Sequence, residues 1–313
     1  MFIFNIIVYL LSFGAIWLGA GLIVKSIEHF AHKLRLSTFA VSFFILGLLT
    51  SIPELALGLT AVSEKTPSVF VGNLLGGIIV LFLLVIPLLA VLGNGIQVKT
   101  QLSPPLMIFT LLVILAPSFL TLDKRVTNLE GGVMIVLYAL LFFLIESRKG
   151  MIDREHSHVM RLKSYSLLDI LKIISGIVIV FISSNIIMDK TLYFSQVFQI
   201  SPFYISLLFL ALGTNMPELS LAIRAVISGK KDVAFGDYLG SAAANTLLFG
   251  VFTLLNEGEV LTENSFLTTF IFIAAALGFF YYFSRSKNDI SRKEGIILLC
   301  IYGAFIFFEV FHS

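Results

Sequence analysis

Cysteine and charged residues are both scarce in this chain of 313 residues. Its single cysteine, Cys300, has no second cysteine with which to form a disulfide or a metal cluster, so redox chemistry is not expected. Charged residues make up only 13% of the chain, too little to cover the surface of a soluble protein of this length. The basic residues form no patch with interleaved aromatic residues, and nucleic-acid binding is therefore not expected.

Motifs for catalysis are lacking as well. No serine–histidine pair, aspartate pair or zinc-binding motif falls within an apolar run, which argues against an intramembrane enzyme. The five histidines lie in polar segments or at the end of the chain, and the sequence HSH is interpreted as a solvated loop rather than a metal site. No enzymatic activity and no cofactor are expected.

Apolar residues dominate the composition instead: they make up 58% of the chain, and the mean hydropathy is +1.00. Apolar runs of about 18 to 25 residues, long enough to cross a bilayer as a helix, recur from one end to the other. The sequence predicts an all-α integral membrane protein with ten transmembrane helices, near residues 2–24, 37–63, 69–92, 104–121, 128–145, 168–187, 201–228, 232–255, 263–283 and 292–311.

The longest polar stretch, residues 146–167, divides the ten predicted helices into two groups of five, in residues 1–145 and 168–313. Lysine and arginine are spread unevenly over the loops, with fifteen on the side of residues 146–167 and four on the other side. Because basic loops stay in the cytoplasm, the 146–167 loop is expected there and both termini outside. A plasma membrane of the prokaryotic (inner-membrane) type is the expected location.

The two groups of helices contain a repeat. Shifting the sequence by 164 residues aligns LGLLTSIPELALG with LALGTNMPELSLA without a gap, and the match continues to GNLLGG and GDYLGS. Because each copy starts in the second helix of a five-helix group, the copies enter the membrane from opposite sides, as in the inverted repeats of secondary transporters. The identical pairs at informative positions are Thr50 and Thr214, Pro53 and Pro217, Glu54 and Glu218, Gly72 and Gly236, and Gly76 and Gly240.

Each repeat places a proline and a glutamate at membrane depth. Pro53 and Pro217 donate no N–H and are expected to break the second and seventh helices, which exposes carbonyls towards the protein interior. Carbonyl, threonine hydroxyl and carboxylate oxygens from two copies suit a hard cation such as Ca²⁺. The alternative interpretation is that the glutamates are protonated and only join helices by hydrogen bonds.

These motifs resemble the two alpha-repeats of the sodium/calcium exchangers, a family of the cation/calcium antiporters. The resemblance rests on LLTSIPEL with GNLLGGIIVL, and on LGTNMPEL with GDYLGSAAAN. It implies that the first and sixth helices slide past the others. It also implies calcium ligands at Thr50, Glu54, Thr214 and Glu218, and sodium-binding or water-facing positions at Ser51, Ser241 and Asn245 and at the backbone of Gly47 and Ala211.

Several positions depart from the family pattern. Gly77, Ile78 and Leu81 stand where the family has side-chain oxygens, so sodium coupling is the weakest part of the implied function. In the second copy Asn215, Asp237 and Ala242 replace the usual residues. Asp237 adds a third carboxylate, which suggests a proton carrier. Its counterpart Asn73 is a further oxygen ligand or an interhelix hydrogen-bond partner.

The sequence therefore predicts a secondary antiporter that exchanges Ca²⁺ against Na⁺ by alternating access. Mn²⁺ and Mg²⁺ accept the same oxygen ligands, so a related divalent cation stays open as the substrate. Exchange against H⁺, a regulatory relative that has lost transport, and a channel are the open alternatives. The expected partners are inorganic cations and the lipid bilayer, and the expected transport unit is a monomer.

Overall fold

The computed structural model describes residues 2–31, 43–44, 47–97, 102–147, 167–216, 218–219, 223, 235–257, 259–261, 266–286 and 289–312. For residues 24–31, 167, 169, 235, 237, 286, 311 and 312 it describes the backbone alone. The helices are α1 (Phe2–Ala31), α2 (Gly47–Thr50), α3 (Ile52–Ser63), α4 (Pro67–Ile79), α5 (Ile86–Leu92), α6 (Pro104–Leu120), α7 (Asn128–Glu146), α8 (Leu167–Phe198), α9 (Pro202–Ile205), α10 (Ala211–Thr214), α11 (Phe235–Leu255), α12 (Leu267–Ser286) and α13 (Arg292–His312).

Two π-helical segments join pairs of these helices. Residues Val80–Val85 join α4 to α5 in one apolar span, and Ser206–Leu210 join α9 to α10. Several helices begin where the sequence provides the usual signals. Pro67, Pro104 and Pro202 lie in first turns, where the missing N–H costs no hydrogen bond. Thr127 and Glu130 form a capping box that starts α7.

The predicted class, an all-α integral membrane protein, is confirmed. Among the described residues, six helices are long and apolar enough to cross a bilayer. Two of these spans, Pro67–Leu92 and Tyr238–Leu255, lie inside the molecule: 83% and 78% of the residues of an 18-residue stretch of each are buried. The other four are only 28–39% buried, and their large apolar side chains point outward, where only lipid can cover them.

The two inner spans organise the rest of the helices. The α4–α5 span packs against α9 and α10 and, at its other end, against α13, whereas α11 packs against α2, α3 and α7. Outside this centre, α1 runs along α8, and α6 packs against α12. The core is therefore formed by the predicted third and eighth helices, each of which touches the segment that carries the other copy of the PEL motif.

Helix α8 extends further than the sequence predicts. The predicted span ended at residue 187 because Asp189 and Lys190 follow, but the helix continues to Phe198. The reason is local: residues 187–198 include no glycine or proline, and the Thr191 hydroxyl hydrogen-bonds the Ile187 carbonyl at 2.9 Å. Thr191 also bonds the hydroxyl of Tyr9 on α1 at 3.2 Å, so this last part of α8 is packed rather than loop.

The described residues include four strands of two residues each, which pair loops that are distant in sequence. The all-α prediction did not include these strands. They are β1 (Ile96–Gln97), β2 (Arg125–Val126), β3 (Val260–Leu261) and β4 (Asp289–Ile290). The strands β1 and β4 pair, as do β2 and β3, both antiparallel. Residues 96 and 97 of the first pair lie 164 positions before residues 260 and 261 of the second, and residues 125 and 126 lie 164 positions before 289 and 290. Both pairs therefore have the same register after this shift, which equals the spacing of the sequence repeat.

The second and seventh predicted helices are each interrupted near the threonine that both copies of the repeat share. Helix α2 ends at Thr50 and α3 begins after Ser51, whose backbone leaves the helical conformation. Helix α10 ends at Thr214, and Asn215 follows in a similar conformation. Pro53 lies in the first turn of α3. Pro217 lies outside the described residues, as do residues 37–42, 45 and 46 of the predicted second helix and residues 148–166 of the central loop.

Glycine allows the inner spans to approach the broken helices at backbone distance. A Cβ at Gly240 of α11 would overlap the Phe43 carbonyl, and a Cβ at Gly76 of α4 would overlap the Leu207 carbonyl. The two glycines are 164 residues apart in the sequence, and so are Phe43 and Leu207. Gly47 likewise lies against the backbone of Gly240. Only residues without a side chain fit at such contacts.

Candidate cation-binding site

The interruption of α2–α3 buries Glu54 in the middle of the protein. Glu54 lies in the first turn of α3 and is only 2% exposed, and Glu218, four residues after Thr214, is 1% exposed. A buried carboxylate is costly unless a cation, a proton or hydrogen-bond donors stabilise it. Two of them in equivalent positions indicate a site that takes up positive charge.

The Glu54 carboxylate is connected to the second copy of the repeat. The Thr214 hydroxyl lies beside this carboxylate and donates to Oδ1 of Asn73 at 3.2 Å. Thr214 belongs to α10, whereas Glu54 and Asn73 belong to α3 and α4. Residues that are more than 140 positions apart in the sequence thus contact one another, and all three are buried.

The Glu218 carboxylate has a hydrogen-bond partner on α11. The Ser241 hydroxyl donates to its Oε1 at 3.3 Å. One helical turn further along α11, the amide Nδ2 of Asn245 donates to the Leu74 carbonyl of α4 at 3.2 Å. Ser241 and Asn245 are both buried. The inner spans α4 and α11 therefore line the site from both sides, and the Leu74 carbonyl is a site atom that no side-chain pattern in the sequence could indicate.

The backbone carbonyls predicted as ligands already accept hydrogen bonds from their own helix ends. The Gly47 carbonyl accepts from the Ser51 N–H at 3.2 Å, from the Ser51 hydroxyl at 2.8 Å and from the Thr50 hydroxyl at 3.2 Å. The Ala211 carbonyl accepts from the Asn215 N–H at 3.2 Å, from its amide Nδ2 at 2.8 Å and from the Thr214 hydroxyl at 3.3 Å. These bonds close the two helix breaks in the same way.

Two buried oxygen atoms at the site lack a hydrogen-bond partner among the described residues. They are Oε2 of Glu54 and Oδ1 of Asn245. Buried acceptors are normally satisfied, so unsatisfied ones at a site indicate a missing ligand or water. Oxygen from carboxylate, amide and hydroxyl groups is what hard cations such as Ca²⁺, Mg²⁺ and Na⁺ prefer.

The structure brings together most of the predicted site residues, but not all of them can be placed. Hydrogen bonds join Asn73, Thr214 and Asn215 in one group and Glu218 and Ser241 in another, and Asn245 bonds the Leu74 carbonyl. Glu54, Ser51 and Ala211 are buried as well. Thr50 is half-buried, and its hydroxyl bonds Gly47 within the same helix. The backbone of Asp237 lies in α11, and its side chain is outside the described part of the chain.

Thr214 is the residue that joins the two halves of the site, and its replacement by valine tests that role. Valine has the same shape but no hydroxyl, so Asn73 loses its donor and Glu54 loses a polar neighbour in a buried site. We expect the affinity for Ca²⁺ to fall roughly tenfold, measured by calorimetry on the purified protein. Thr110→Val is the matched control, because Thr110 is equally buried and its hydroxyl bonds the Leu106 carbonyl of its own helix. Equal affinities of the two variants would contradict the role of Thr214.

A helical membrane protein with a buried, oxygen-lined site belongs to the broad class of cation-handling proteins. Among the described residues there is no cluster of three or more histidine, cysteine or acidic side chains that could hold a resident metal ion. The family model described as sodium/calcium exchanger protein matches residues 4–145 and 169–311. The chain therefore belongs to the sodium/calcium exchanger family, whose members are transporters and not enzymes, and the predicted family is confirmed.

Curated relatives cover most of the chain at low identity. It is 24% identical to the sodium/calcium exchanger MaX1 of Methanosarcina acetivorans, over 96% of this chain and 97% of the relative. It is 25% identical to the putative antiporter CaxA of Alkalimonas amylolytica, over 91% of both chains. It is also 26% identical to the inner membrane protein YrbG of Escherichia coli, over 80% of this chain and 82% of the relative.

The fold is also found among solved structures. The sodium–calcium exchanger NCX_Mj, soaked with 10 mM Na⁺ and 10 mM Sr²⁺, superposes with a TM-score of 0.67. The match covers 98% of both chains at 21% sequence identity. The two proteins therefore share their fold.

Proposed function

We propose that this protein exchanges Ca²⁺, or a related divalent cation, against Na⁺ across a membrane, by alternating access at the site of Glu54 and Glu218. The observation that carries the proposal is the buried pair of carboxylates, each on a broken helix: the Thr214 hydroxyl lies beside Glu54, and the Ser241 hydroxyl of an inner span donates to Glu218. Two carboxylates balance the charge of one divalent cation, and their removal from water favours a bound cation over an empty site.

We further propose that the chain has ten transmembrane helices in two inverted repeats, residues 1–145 and 168–313, with the 146–167 loop in the cytoplasm and both termini outside. Two observations support this symmetry. The two strand pairs have the same register after a shift of 164 residues, and the contacts of Gly76 and Gly240 with backbone carbonyls are related by the same shift. The two ranges matched by the family model support the same division. In this proposal α1 and α8, which pack along each other at the periphery, move relative to the inner spans, and a monomer is the transport unit.

Uptake of ⁴⁵Ca²⁺ into proteoliposomes tests the exchange. Purified protein is reconstituted with an outward Na⁺ gradient, an outward H⁺ gradient or neither, and protein-free liposomes are the blank. We expect uptake with the Na⁺ gradient and none beyond the blank without a gradient, because an antiporter moves Ca²⁺ only against a counter-ion. Ca²⁺ flux without any counter-ion would indicate a channel, and no Ca²⁺ flux under any gradient would contradict the proposal.

Exchange against H⁺ is the second candidate, and a specific observation favours it. Leu81, the counterpart of Asn245 after the shift of 164 residues, is fully buried and provides no oxygen. The first repeat therefore offers fewer ligands for Na⁺ than the second repeat. If uptake responds only to the H⁺ gradient and is lost in Asp237→Asn, the counter-ion is H⁺, and the proposal for Na⁺ is wrong.

A further inference from the structure

A proline inside helix α6 leaves one backbone carbonyl of this helix without its usual donor. Pro117 has no N–H, so the carbonyl of Val113, four residues earlier, receives no hydrogen bond from it. Both residues are buried. A buried carbonyl requires a donor, and in an apolar helical protein a side chain of a neighbouring helix can provide it.

Thr246 of α11 provides this donor. Its hydroxyl donates to the Val113 carbonyl at 2.8 Å, and the two residues are 0% and 1% exposed. Other buried threonines behave differently: the hydroxyls of Thr110 and Thr253 donate to the carbonyl four residues earlier in their own helices. The hydroxyl of Thr246 therefore joins two helices, α11 and α6, at the carbonyl that the proline leaves free.

Thr246 directly follows Asn245, a residue of the candidate site. Their side chains leave α11 about 100° apart and reach different partners. Thr246 contacts α6, whereas the amide Nδ2 of Asn245 donates to the Leu74 carbonyl of α4 at 3.2 Å. Oδ1 of Asn245 is one of the buried oxygens without a hydrogen-bond partner among the described residues. The turn of α11 that carries this oxygen is thus bonded to α4 and to α6.

We infer that Thr246 is a positioning residue for cation binding: its bond to the Val113 carbonyl holds α11 against α6 and keeps the amide oxygen of Asn245 at the site. This inference rests on the proposed function, because it concerns the affinity of the same site for its cation. The sequence repeat does not indicate this role. Phe82 stands 164 residues before Thr246, and its ring packs against Phe280 of α12 with 5.0 Å between the ring centroids.

The test is the Ca²⁺ dependence of the exchange of ⁴⁵Ca²⁺ for unlabelled Ca²⁺ in proteoliposomes, measured for Thr246→Val and Thr246→Ser. Valine removes the donor of a buried carbonyl, whereas serine keeps the hydroxyl. We expect the half-saturating Ca²⁺ concentration to rise roughly tenfold with valine and to stay near the native value with serine. Thr253→Val is the matched control, because Thr253 is equally buried on the same helix and its hydroxyl bonds a carbonyl of that helix. A native half-saturating concentration in Thr246→Val would overturn the inference.

Replacement of the proline separates positioning from a general loss of stability. Pro117→Ala restores an N–H that can donate to the Val113 carbonyl, so this carbonyl no longer depends on Thr246. In the Pro117→Ala background we expect Thr246→Val to raise the half-saturating Ca²⁺ concentration by about twofold at most. The same tenfold increase in both backgrounds would overturn the inference.

The same assay distinguishes this inference from the proposed function. If the native protein neither exchanges ⁴⁵Ca²⁺ for unlabelled Ca²⁺ nor takes it up under any gradient, the proposed function fails. If the native protein exchanges Ca²⁺ and Thr246→Val lowers only the maximal rate, the role of Thr246 alone fails. Should Thr246→Val not fold, the double variant Pro117→Ala/Thr246→Val decides. It is expected to fold and to bind Ca²⁺ as Pro117→Ala does, and a loss of folding or a tenfold weaker affinity would overturn the inference.

Discussion

Calcium uptake is expected to fall roughly 10²- to 10³-fold when Glu218 is replaced by glutamine, and by a similar factor for Glu54→Gln. Glutamine keeps the length of the side chain and a carbonyl oxygen for the Ser241 hydroxyl, so the packing is preserved and only the charge is lost. A divalent cation then faces a single carboxylate in a buried site. The remaining positive charge costs several kcal/mol in such surroundings, which is the reason for the large effect.

Uptake into proteoliposomes and Ca²⁺ binding by calorimetry measure this effect on transport and affinity separately. Glu309→Gln is the matched control, because Glu309 is also a buried glutamate in a long apolar helix, where the Thr269 hydroxyl donates to its carboxylate at 2.8 Å. We expect the control to retain uptake. If Glu218→Gln binds and transports Ca²⁺ as the native protein does, or if Glu309→Gln loses as much, the assignment of the carboxylates is wrong.

The class of the protein and its family could be predicted from the sequence because both depend on strong local signals. Apolar runs of membrane length need no tertiary information, and the motif TxxPEL occurs twice at a constant spacing. The positions of the helix breaks were also predictable, since a proline removes a donor wherever it lies. In the structure the chain leaves the helix at Ser51 and at Asn215, close to the two threonines of the repeat.

The connections within the site could not be predicted, because they depend on how distant helices meet. Nothing in the sequence indicates that the amide of Asn245 reaches the Leu74 carbonyl, or that Thr214 lies between Glu54 and Asn73. The prediction that broken helices expose carbonyls also missed a local effect: hydroxyl and amide groups at both breaks donate back to Gly47 and Ala211. Such side-chain bonds compete with ligands for the same carbonyl.

At the end of α8 the prediction was wrong because it assumed that charged residues end a membrane helix. Asp189 and Lys190 suggested the end of a membrane span, yet the helix continues for eight more residues after Lys190. A hydropathy pattern cannot show that Thr191 is buried against Tyr9 of α1. The length of a helix is decided by what it packs against as much as by its own composition.

Gly240→Ala is expected to destabilise the protein strongly and to abolish transport. The added methyl group would overlap the carbonyl group and Cα of Phe43, and a backbone cannot move aside as a side chain can. Overpacking at such a contact costs about 1–3 kcal/mol or more. The separation of α11 from α2 would increase, and the Ser241 hydroxyl, one residue further along α11, would be displaced from Glu218.

Thermal unfolding of the purified protein, monitored together with ⁴⁵Ca²⁺ uptake, measures both parts of this prediction. Gly303→Ala on α13 is the matched control: the substitution is chemically the same and lies in a long apolar helix, but no atom outside the local helix lies within 4 Å of the added Cβ. Alanine also favours a helix over glycine, so the control is expected to be as stable as the native protein or slightly more stable. If Gly240→Ala unfolds at the temperature of the native protein, the packing of α11 against α2 does not require close backbone contact. The position of Ser241 beside Glu218 would then need another explanation.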